Sequence, residues 1–312
     1  MHLLLGWVPF SIGDIFYTTI VVLTIVSVVK LLFKLLRRQF KQAGLNALKL
    51  LIGLQLFIAA FYLLWGMNYF RPPAAKILNL QTNGYTFDQL QTVTRLLIDS
   101  TNANRTLLTF ATESNSTIYN NAIIAIKQLD AQNRALKSIY PAVKPSMFTP
   151  IINYMGTAGY FNPFSSEAQI NYNMPVVNRP VTACHEMAHQ MGFAREDEAN
   201  FIGFLAGKNS ADRLLRYSAY YMATQEFMHE VYRRDSITYK LLKAKLLPAV
   251  RTDMKKENEY WEHYQNQLGD LSGLFYDRFL KLNNQPEGLR TYNRMINLTM
   301  AYYEKAALPG KN

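Results

Sequence analysis

The sequence predicts a mainly α-helical protein in which two N-terminal transmembrane helices precede an α+β domain with a small sheet. Two long apolar stretches, a turn-rich middle region and a return to helical periodicity after residue 181 indicate this architecture. The chain has 312 residues, 49% of them hydrophobic and 18% charged, so it can hold a membrane anchor and one globular domain. We therefore expect the anchor over residues 1–70 and the domain over residues 71–312.

The two apolar stretches near the N-terminus each have the composition of a membrane span. Ile15 to Val29 contains no charged residue, and Leu50 to Phe70 is uncharged throughout. Since about 20 apolar residues cross a bilayer, we predict transmembrane helices over about residues 12–33 and 50–70. A buried core helix is the alternative interpretation for each stretch.

The ends of the two stretches carry further signals. Tyr62, Trp65 and Tyr69 lie near the end of the second, where the aromatic belt of a membrane interface is expected. The residues ahead of the first include Asp14 and no Lys or Arg, so a cleaved signal peptide is not expected.

Six basic residues lie between the two predicted spans or at their facing ends: Lys30, Lys34, Arg37, Arg38, Lys41 and Lys49. By the positive-inside rule this connection faces the cytoplasm, so we expect a multi-pass protein of the cytoplasmic (inner) membrane with its domain on the outer, periplasmic side. The formal charge is +11, but setting these six aside leaves 27 of the 33 Lys and Arg residues against 22 Asp and Glu. Most of the excess positive charge is therefore attributed to the orientation of the spans in the membrane, and no nucleic-acid partner is expected.

The domain reads as helical on both sides of an irregular region. Thr86 and Gln89 have the spacing of a capping box, which predicts a helix start. A second helical pattern covers about residues 118–139, and residues 141–180 are rich in Pro and Gly. Within that region, Glu167 to Met174 is the best strand candidate. Helix breaks are predicted near Gly192, Asn209, Pro248 and residues 283–288.

The motif His185-Glu186-x-x-His189 lies in the helical part that follows. Residues four apart share one face of a helix, so both imidazoles can reach one metal ion. Glu186 follows His185 on the helix, where its carboxylate can reach a metal-bound water without ligating the ion. This is the HExxH signature, and it predicts His185 and His189 as zinc ligands and Glu186 as the catalytic base.

A third ligand is expected on the next helix, because catalytic zinc usually takes three protein ligands and leaves a position for water. Gly192 fits the left-handed position just past a helix end, and a new helical pattern begins near residue 196. Three acidic residues are available there: Glu196, Asp197 and Glu198.

Helix geometry favours Glu196 over Glu198. Glu196 shares its face with small or short residues that allow close packing on the histidine helix: Ala199, Asn200, Gly203, Ala206 and Gly207. Glu198 shares its face with large apolar residues that are typical of a hydrophobic core: Phe201, Ile202 and Leu205. Glu198 stays open as the alternative ligand, and Asp197 is expected to be solvated or near the helix start, where negative charge is favourable.

Two neighbours of these residues have both a functional and a structural interpretation. Asn200, one turn after Glu196, could hold a ligating histidine in its tautomer by accepting a hydrogen bond, or it could be a surface amide. Cys184 could be a soft ligand, but we expect a buried small apolar residue. It is the single cysteine, so no internal disulfide is possible.

These motifs carry a resemblance. His185-Glu186-x-x-His189 followed by Glu196-x-x-Ala199-Asn200 resembles the gluzincin class of zinc metallopeptidases, and nearly the whole chain is similar to the bacterial domain-of-unknown-function family 3810. Members of that family usually have a further apolar segment ahead of "GWVPFSIGD". Three motifs carry the family resemblance: "WGMNYFR" (Trp65 to Arg71), "GYFNPFSSEAQIN" (Gly159 to Asn171) and "TACHEMAHQMGFAREDEANFI" (Thr182 to Ile202).

The resemblance implies a zincin-like domain and a membrane-anchored zinc metallopeptidase that acts on a peptide or protein substrate. Zn²⁺ would lower the pKa of its water, and Glu186 would take the proton and pass it to the leaving amine. Zincins usually bind substrate as an added strand, and Glu167 to Met174 could supply that edge or be purely structural.

Two alternatives remain. The chain could be a non-catalytic membrane binding or assembly module that keeps a zincin fold, or a zinc amidase acting on cell-wall peptides. The presence of Glu186 disfavours the module, since structural zinc needs no base.

Overall fold

Two long apolar helices begin the structure, and a mostly helical domain with a small sheet follows them. The computed structural model describes residues 8–108, 113–285 and 294–307. Residues 1–7, where the end of a further apolar segment is expected, lie outside the described residues. The predicted class, mainly α with a small sheet and two N-terminal apolar helices, is confirmed.

The apolar helices are α1 (Ile12–Leu36) and α2 (Phe40–Leu64), and a 3₁₀ turn over Gly66–Phe70 follows them. In chain order the remaining elements are α3 (Ala74–Ile77), α4 (Phe87–Thr106), α5 (Asn115–Gln132), a 3₁₀ turn (Arg134–Leu136), β1 (Val143–Pro145), α6 (Thr149–Tyr154), β2 (Gly159–Asn162), β3 (Glu167–Ile170), α7 (Arg179–Gln190), α8 (Glu196–Lys208), α9 (Arg213–Arg234), α10 (Ser236–Ala244), α11 (Pro248–Tyr264), α12 (Gln267–Leu282) and α13 (Arg294–Ala307).

Helices α1 and α2 are long and apolar enough to cross a membrane. Each has 25 residues, and the apolar windows have mean hydropathies of 2.3 and 2.1 with 0% of their residues buried in the protein. A core helix would be covered by the domain, so the core-helix alternative does not fit either segment. Helix α2 begins ten residues earlier than predicted. The prediction followed only the uncharged stretch, whereas the helix also includes the exposed Lys41 and Lys49.

The three aromatic side chains predicted for a membrane interface at the end of the second span also contact the domain. The Trp65 indole Nε1 donates to the backbone carbonyl of His189 at 3.0 Å, and Tyr69 is only 4% exposed. The Tyr62 hydroxyl donates to Asn283 Oδ1 at 3.0 Å. A ring with one polar tip suits a buried contact with a hydrogen-bond partner as well as it suits a lipid interface. These three side chains therefore join α2 to the domain.

The sheet has the strand order β1-β3-β2, so β3 is the central strand. It pairs parallel with β1 and antiparallel with β2, and it ends at Ile170 rather than at Met174. The hypothesis that Glu167 to Met174 offers an edge to substrate is therefore wrong, since both sides of β3 are occupied. Strand β2 is the outer strand on the other side of the sheet from β1.

Helix α8 is the central helix of the domain. Every residue from Glu196 to Gly207 is buried, because α5, α7, α9 and α13 all pack against it. Helix α4 begins with the predicted capping box of Thr86 and Gln89. Helix α5 ends at Gln132, seven residues earlier than the sequence pattern indicated.

The N-terminus of α1 is hydrogen-bonded to the sheet through Glu167. The Glu167 carboxylate accepts from the backbone N–H of Gly13 at 2.6 Å and of Ile12 at 3.3 Å. It also forms an ion pair with the buried Lys144 at 2.7 Å. The first N–H groups of a helix have no partner within the helix, and its dipole favours negative charge there. Glu167 thus adds, from β3, to the cap that the N-cap residue Ser11 provides by accepting from the Asp14 N–H.

Asp14 makes a second connection in the first turn of α1. Its carboxylate accepts from the backbone N–H of Met147 at 2.7 Å and from the hydroxyl of Tyr160 on β2. Asp14 is 1% exposed, so these donors replace the water it would otherwise bind. The apolar helix α1 and the sheet are consequently one hydrogen-bonded unit.

We expect Glu167→Ala to lower the free energy of unfolding by about 3 to 5 kcal/mol, because it leaves the Lys144 ammonium buried without its partner. The measurement is denaturant unfolding of the full chain in detergent, followed by tryptophan fluorescence. The matched control is Glu259→Ala, which removes an exposed ion pair with Lys255 and should change the free energy by less than about 0.5 kcal/mol. Equal effects of the two substitutions would contradict the capping role.

Candidate metal centre

Helix α7 carries His185, Glu186 and His189, and Gly192 ends it as predicted. Gly192 has φ +88°, the left-handed conformation that glycine adopts without strain. A Cβ at this position would also collide with the side chains of Arg71 and Asn68, so space as well as conformation requires glycine. The turn sends the chain directly into α8, which begins at Glu196.

Three side chains from α7 and α8 converge at one point. His185 Nε2 lies 3.1 Å from Glu196 Oε2 and 3.1 Å from His189 Nε2. His189 Nε2 lies 3.7 Å from Glu196 Oε1, and one ligand atom from each residue falls within 4.8 Å of the others. A tetrahedral zinc ion with bonds of about 2.0–2.1 Å holds its ligand atoms ~3.3 Å apart, so the spacing fits such an ion.

Both histidine rings are held with Nε2 facing this point. His185 Nδ1 lies 2.7 Å from Asn200 Oδ1, and His189 Nδ1 lies 2.7 Å from the carbonyl oxygen of Phe193. Each partner is an acceptor, so each Nδ1 carries a proton and each Nε2 is the ring atom left to bind a proton or a metal ion. The structure thus places Asn200 where the sequence suggested, against a histidine and away from the surface.

The other acidic residues of α8 lie elsewhere. Glu198 Oε1 accepts from the backbone N–H of Ala74 at 2.8 Å, so it caps α3 and does not join the cluster. Asp197 lies in the first turn of α8 as expected, but it is 5% exposed and therefore buried rather than solvated. Cys184 is fully buried among apolar side chains, as expected.

The small-residue face of α8 brings the ligands together. A Cβ on Gly203 would lie 3.3 Å from the backbone nitrogen of His185 and 3.3 Å from the carbonyl oxygen of Val181. The two helices therefore approach at backbone distance at this position. The prediction that the Glu196 face packs on the histidine helix is confirmed.

Burial and mutual charge set the protonation of the cluster. Burial would raise the pKa of Glu196, but the adjacent His189 and His185 hold this pKa well below the ordinary glutamate value. Burial would lower the pKa of His189, and the charge of Glu196 outweighs that effect and raises the pKa to about 9. The carboxylate is thus ionised and attracts a positive charge to Nε2, whether a proton or a metal ion.

Glu186 lies beside the cluster, with its carboxyl group against β2. It is 4% exposed, and its Oε1 would be 2.8 Å from a Cβ on Gly159, so only glycine leaves it room. Burial raises its pKa to about 7, although the nearby His185 and His189 act in the opposite direction. A carboxyl group with a pKa near neutrality can both accept and release a proton.

Several contacts to the site were not predicted as site contacts. The Tyr276 hydroxyl on α12 donates to Glu196 Oε1, and nothing distinguishes this residue among 20 tyrosines in the sequence. Arg71 donates to the carbonyl of Met191 at 2.9 Å, and the Phe161 ring lies 5.1 Å from the Trp65 ring. Trp65, Arg71 and Phe161 belong to the two shorter family motifs, and this was the one sequence feature that could have indicated them.

The site opens into a cavity of about 1950 Å³. Its wall includes His185, Glu186, Glu196 and the residues Gly159 to Phe161 of β2. A cavity of this size exceeds the ~300–1,000 Å³ typical of small-molecule pockets. The site is therefore accessible to a large ligand.

The comparisons with known proteins identify a family, and the function of that family is unknown. No curated protein and no solved structure matches the chain. The family model described as "Protein of unknown function (DUF3810)" matches residues 1–300, which is nearly the whole chain. The chain therefore belongs to the DUF3810 family of proteins of unknown function.

Proposed function

We propose that this protein is a membrane-anchored zinc metallopeptidase of the gluzincin class. The observation that carries the proposal is the convergence of His185 Nε2, His189 Nε2 and a Glu196 oxygen within 4.8 Å, with a buried Glu186 beside them. Two imidazoles and one carboxylate are a ligand set typical of catalytic zinc, which keeps a further position open.

Each residue of the site has a distinct task in this mechanism. Bound zinc would supply Lewis acidity toward a water molecule and toward the carbonyl of the scissile bond. The Glu186 carboxylate accepts the proton of the attacking water and delivers it to the leaving amine, and its pKa of about 7 suits both steps. Asn200 keeps the proton of His185 on Nδ1, and Tyr276 holds Glu196 by its hydroxyl.

Strand β2 is the surface on which we place the substrate. Gly159, Tyr160 and Phe161 line the cavity, and Gly159 lies against Glu186. An extended peptide that paired with the outer side of β2 would pass beside the catalytic carboxylate. Backbone hydrogen bonds do not depend on the side chains of the bound peptide, so pairing with β2 by itself gives little sequence preference.

The six basic residues at the connection between α1 and α2 support the orientation in the membrane. The positive-inside rule places them in the cytoplasm, so the metal centre lies on the outer, periplasmic side of the inner membrane. The protein then crosses the membrane more than once, through α1 and α2.

We expect Glu186→Gln to reduce peptide hydrolysis by about 10²- to 10⁴-fold while zinc remains stoichiometric, because a general base is lost and no ligand is. Cleavage of casein and of a proteome-derived peptide library is measured beside metal analysis. The control is Glu226→Gln, which removes another carboxyl group whose pKa burial raises to about 7, outside the cavity wall. Equal activity of wild type and Glu186→Gln would favour a non-catalytic module, and cleavage of cell-wall peptides alone would favour an amidase.

The two glutamates of α8 give a matched pair for the third ligand. Glu196→Gln should lose zinc, because a neutral amide replaces the ligating carboxylate, whereas Glu198→Gln should keep it, because its amide oxygen can still accept from Ala74. The measurement is zinc per chain after dialysis against a competing chelator. Zinc loss from Glu198→Gln alone would contradict the assignment.

Asn200→Ala should weaken zinc binding by about 10- to 100-fold, because His185 loses the acceptor that fixes its tautomer. Asn200→Asp keeps an acceptor oxygen at the same position and should restore most of the affinity. Affinity is measured by competition with a zinc-binding dye. Unchanged affinity in Asn200→Ala would show that the contact does not orient the ligand.

A further inference from the structure

The cavity at the metal centre continues onto the two apolar helices. On α1 its wall includes Tyr17, Val21 and Val22, and on α2 it includes Leu54 and Phe57. Residues 17 and 21, and residues 54 and 57, are neighbours on one helix face. The same cavity therefore touches the catalytic Glu186 at one end and membrane-spanning surface at the other.

The cavity reaches deep along these helices. Val22 lies ten residues from the first residue of α1, and Leu54 lies ten residues from the last residue of α2. At 1.5 Å per residue each distance is ~15 Å, which is about half of the ~30 Å hydrocarbon core of a bilayer. The wall at this depth is open to the lipid side, since Val22 is 52% and Leu54 is 55% exposed.

An aromatic wall joins the two ends without a polar break. Phe61 and Trp65 continue the α2 face toward the domain, with ring centroids 6.3 Å apart. Trp65 then contacts Phe161 of β2 and the ring of His189, at 5.1 Å and 6.1 Å. Phe279 of α12 faces Phe61 at 5.8 Å. Burial of an apolar segment against this aromatic surface is favourable.

The size of the cavity argues for an occupant larger than one lipid chain. The cavity holds about 1950 Å³ and extends from α1 and α2 past β2 to α12. Small-molecule pockets typically hold ~300–1,000 Å³. Along α2 the wall runs from Leu54 to Trp65, ~17 Å at 1.5 Å per residue, a length that the end of a helix can follow.

We propose that the substrates are polypeptides anchored by a transmembrane helix, cut at a bond just outside that helix. The helix end occupies the groove between α1, α2 and α12, and the extended chain beyond it lies along β2 to Glu186. This proposal rests on the proposed peptidase function, for which it names the substrate class.

The first test uses bacteria that express the full chain or its Glu186→Gln variant. New protein termini that depend on Glu186 are identified by mass spectrometry of the whole proteome. We expect them to concentrate within about ten residues of apolar segments of ~20 residues, long enough to span a membrane. Termini scattered over soluble proteins would overturn the substrate class and leave the peptidase function standing. An absence of Glu186-dependent termini would overturn the peptidase function, and this proposal with it.

The second test uses purified protein in lipid nanodiscs with the best-cleaved substrate from the first. Leu54→Trp fills the groove, and Leu56→Trp changes an exposed residue on the opposite face of α2, outside the cavity wall. Leu54→Trp should slow cleavage of the helix-anchored substrate by about tenfold or more, because a buried apolar side chain of the substrate loses its site. Leu56→Trp should leave the rate unchanged, and neither change should affect the same substrate without its helix.

The outcomes of the second test are distinct. Equal rates for the anchored and the truncated substrate would overturn the proposal, as would equal effects of the two tryptophans. Equally fast cleavage after a lipid anchor replaces the helix would overturn the helix as occupant. A readout independent of turnover is photo-crosslinking in the Glu186→Gln background. A benzophenone side chain at position 54, and not at position 56 on the opposite face of α2, should crosslink to the substrate's transmembrane peptide.

Discussion

The C-terminal end of α7 is the constraint on which the candidate site and its contact with α2 depend. The last carbonyl groups of a helix have no partner within the helix. Trp65 donates to the carbonyl of His189 in the last turn of α7. In the turn that follows, Arg71 donates to the carbonyl of Met191, and the His189 ring donates to that of Phe193. These bonds orient the His189 ring and attach the end of α2 to the domain, so the geometry of the candidate site and the position of α2 are coupled through one turn of backbone.

Helix N-termini are satisfied in a comparable way by carboxylates that come from distant parts of the chain. Glu167 caps α1 from β3, and Glu198 caps α3 from the first turn of α8. Both carboxylates are buried, so each needs the donors it receives as much as the helix needs an acceptor. Glu198 is therefore structural, although it lies only two residues from Glu196.

The sequence predicted what depends on local spacing. The pairing of His185 with His189, the turn at Gly192 and the close-packed face of Glu196 all follow from helix geometry over a few residues. Interactions across the chain were not predictable in this way. The order of the strands, which makes β2 and not β3 the outer strand, and the approach of Tyr276 to Glu196 both depend on packing between segments far apart in sequence. The contact of Trp65 with His189 was not predictable either, because an aromatic ring with a polar tip suits a buried contact and a lipid interface alike.

The energetics of the cluster argue for a site rather than for a structural core. Burying an ionised group costs several kcal/mol even after relaxation, and well-packed apolar residues are often as stable as a buried ion pair or more so. The cluster nevertheless places His189, Glu186 and Glu196 together at exposures of 4 to 6%. Zinc held for structure would justify the three ligands but not Glu186, whose carboxyl group caps no helix and whose space is secured by a glycine on the facing strand. A buried carboxyl group beside a candidate cation site, at the wall of a cavity, favours the proposed proton transfer to and from a substrate.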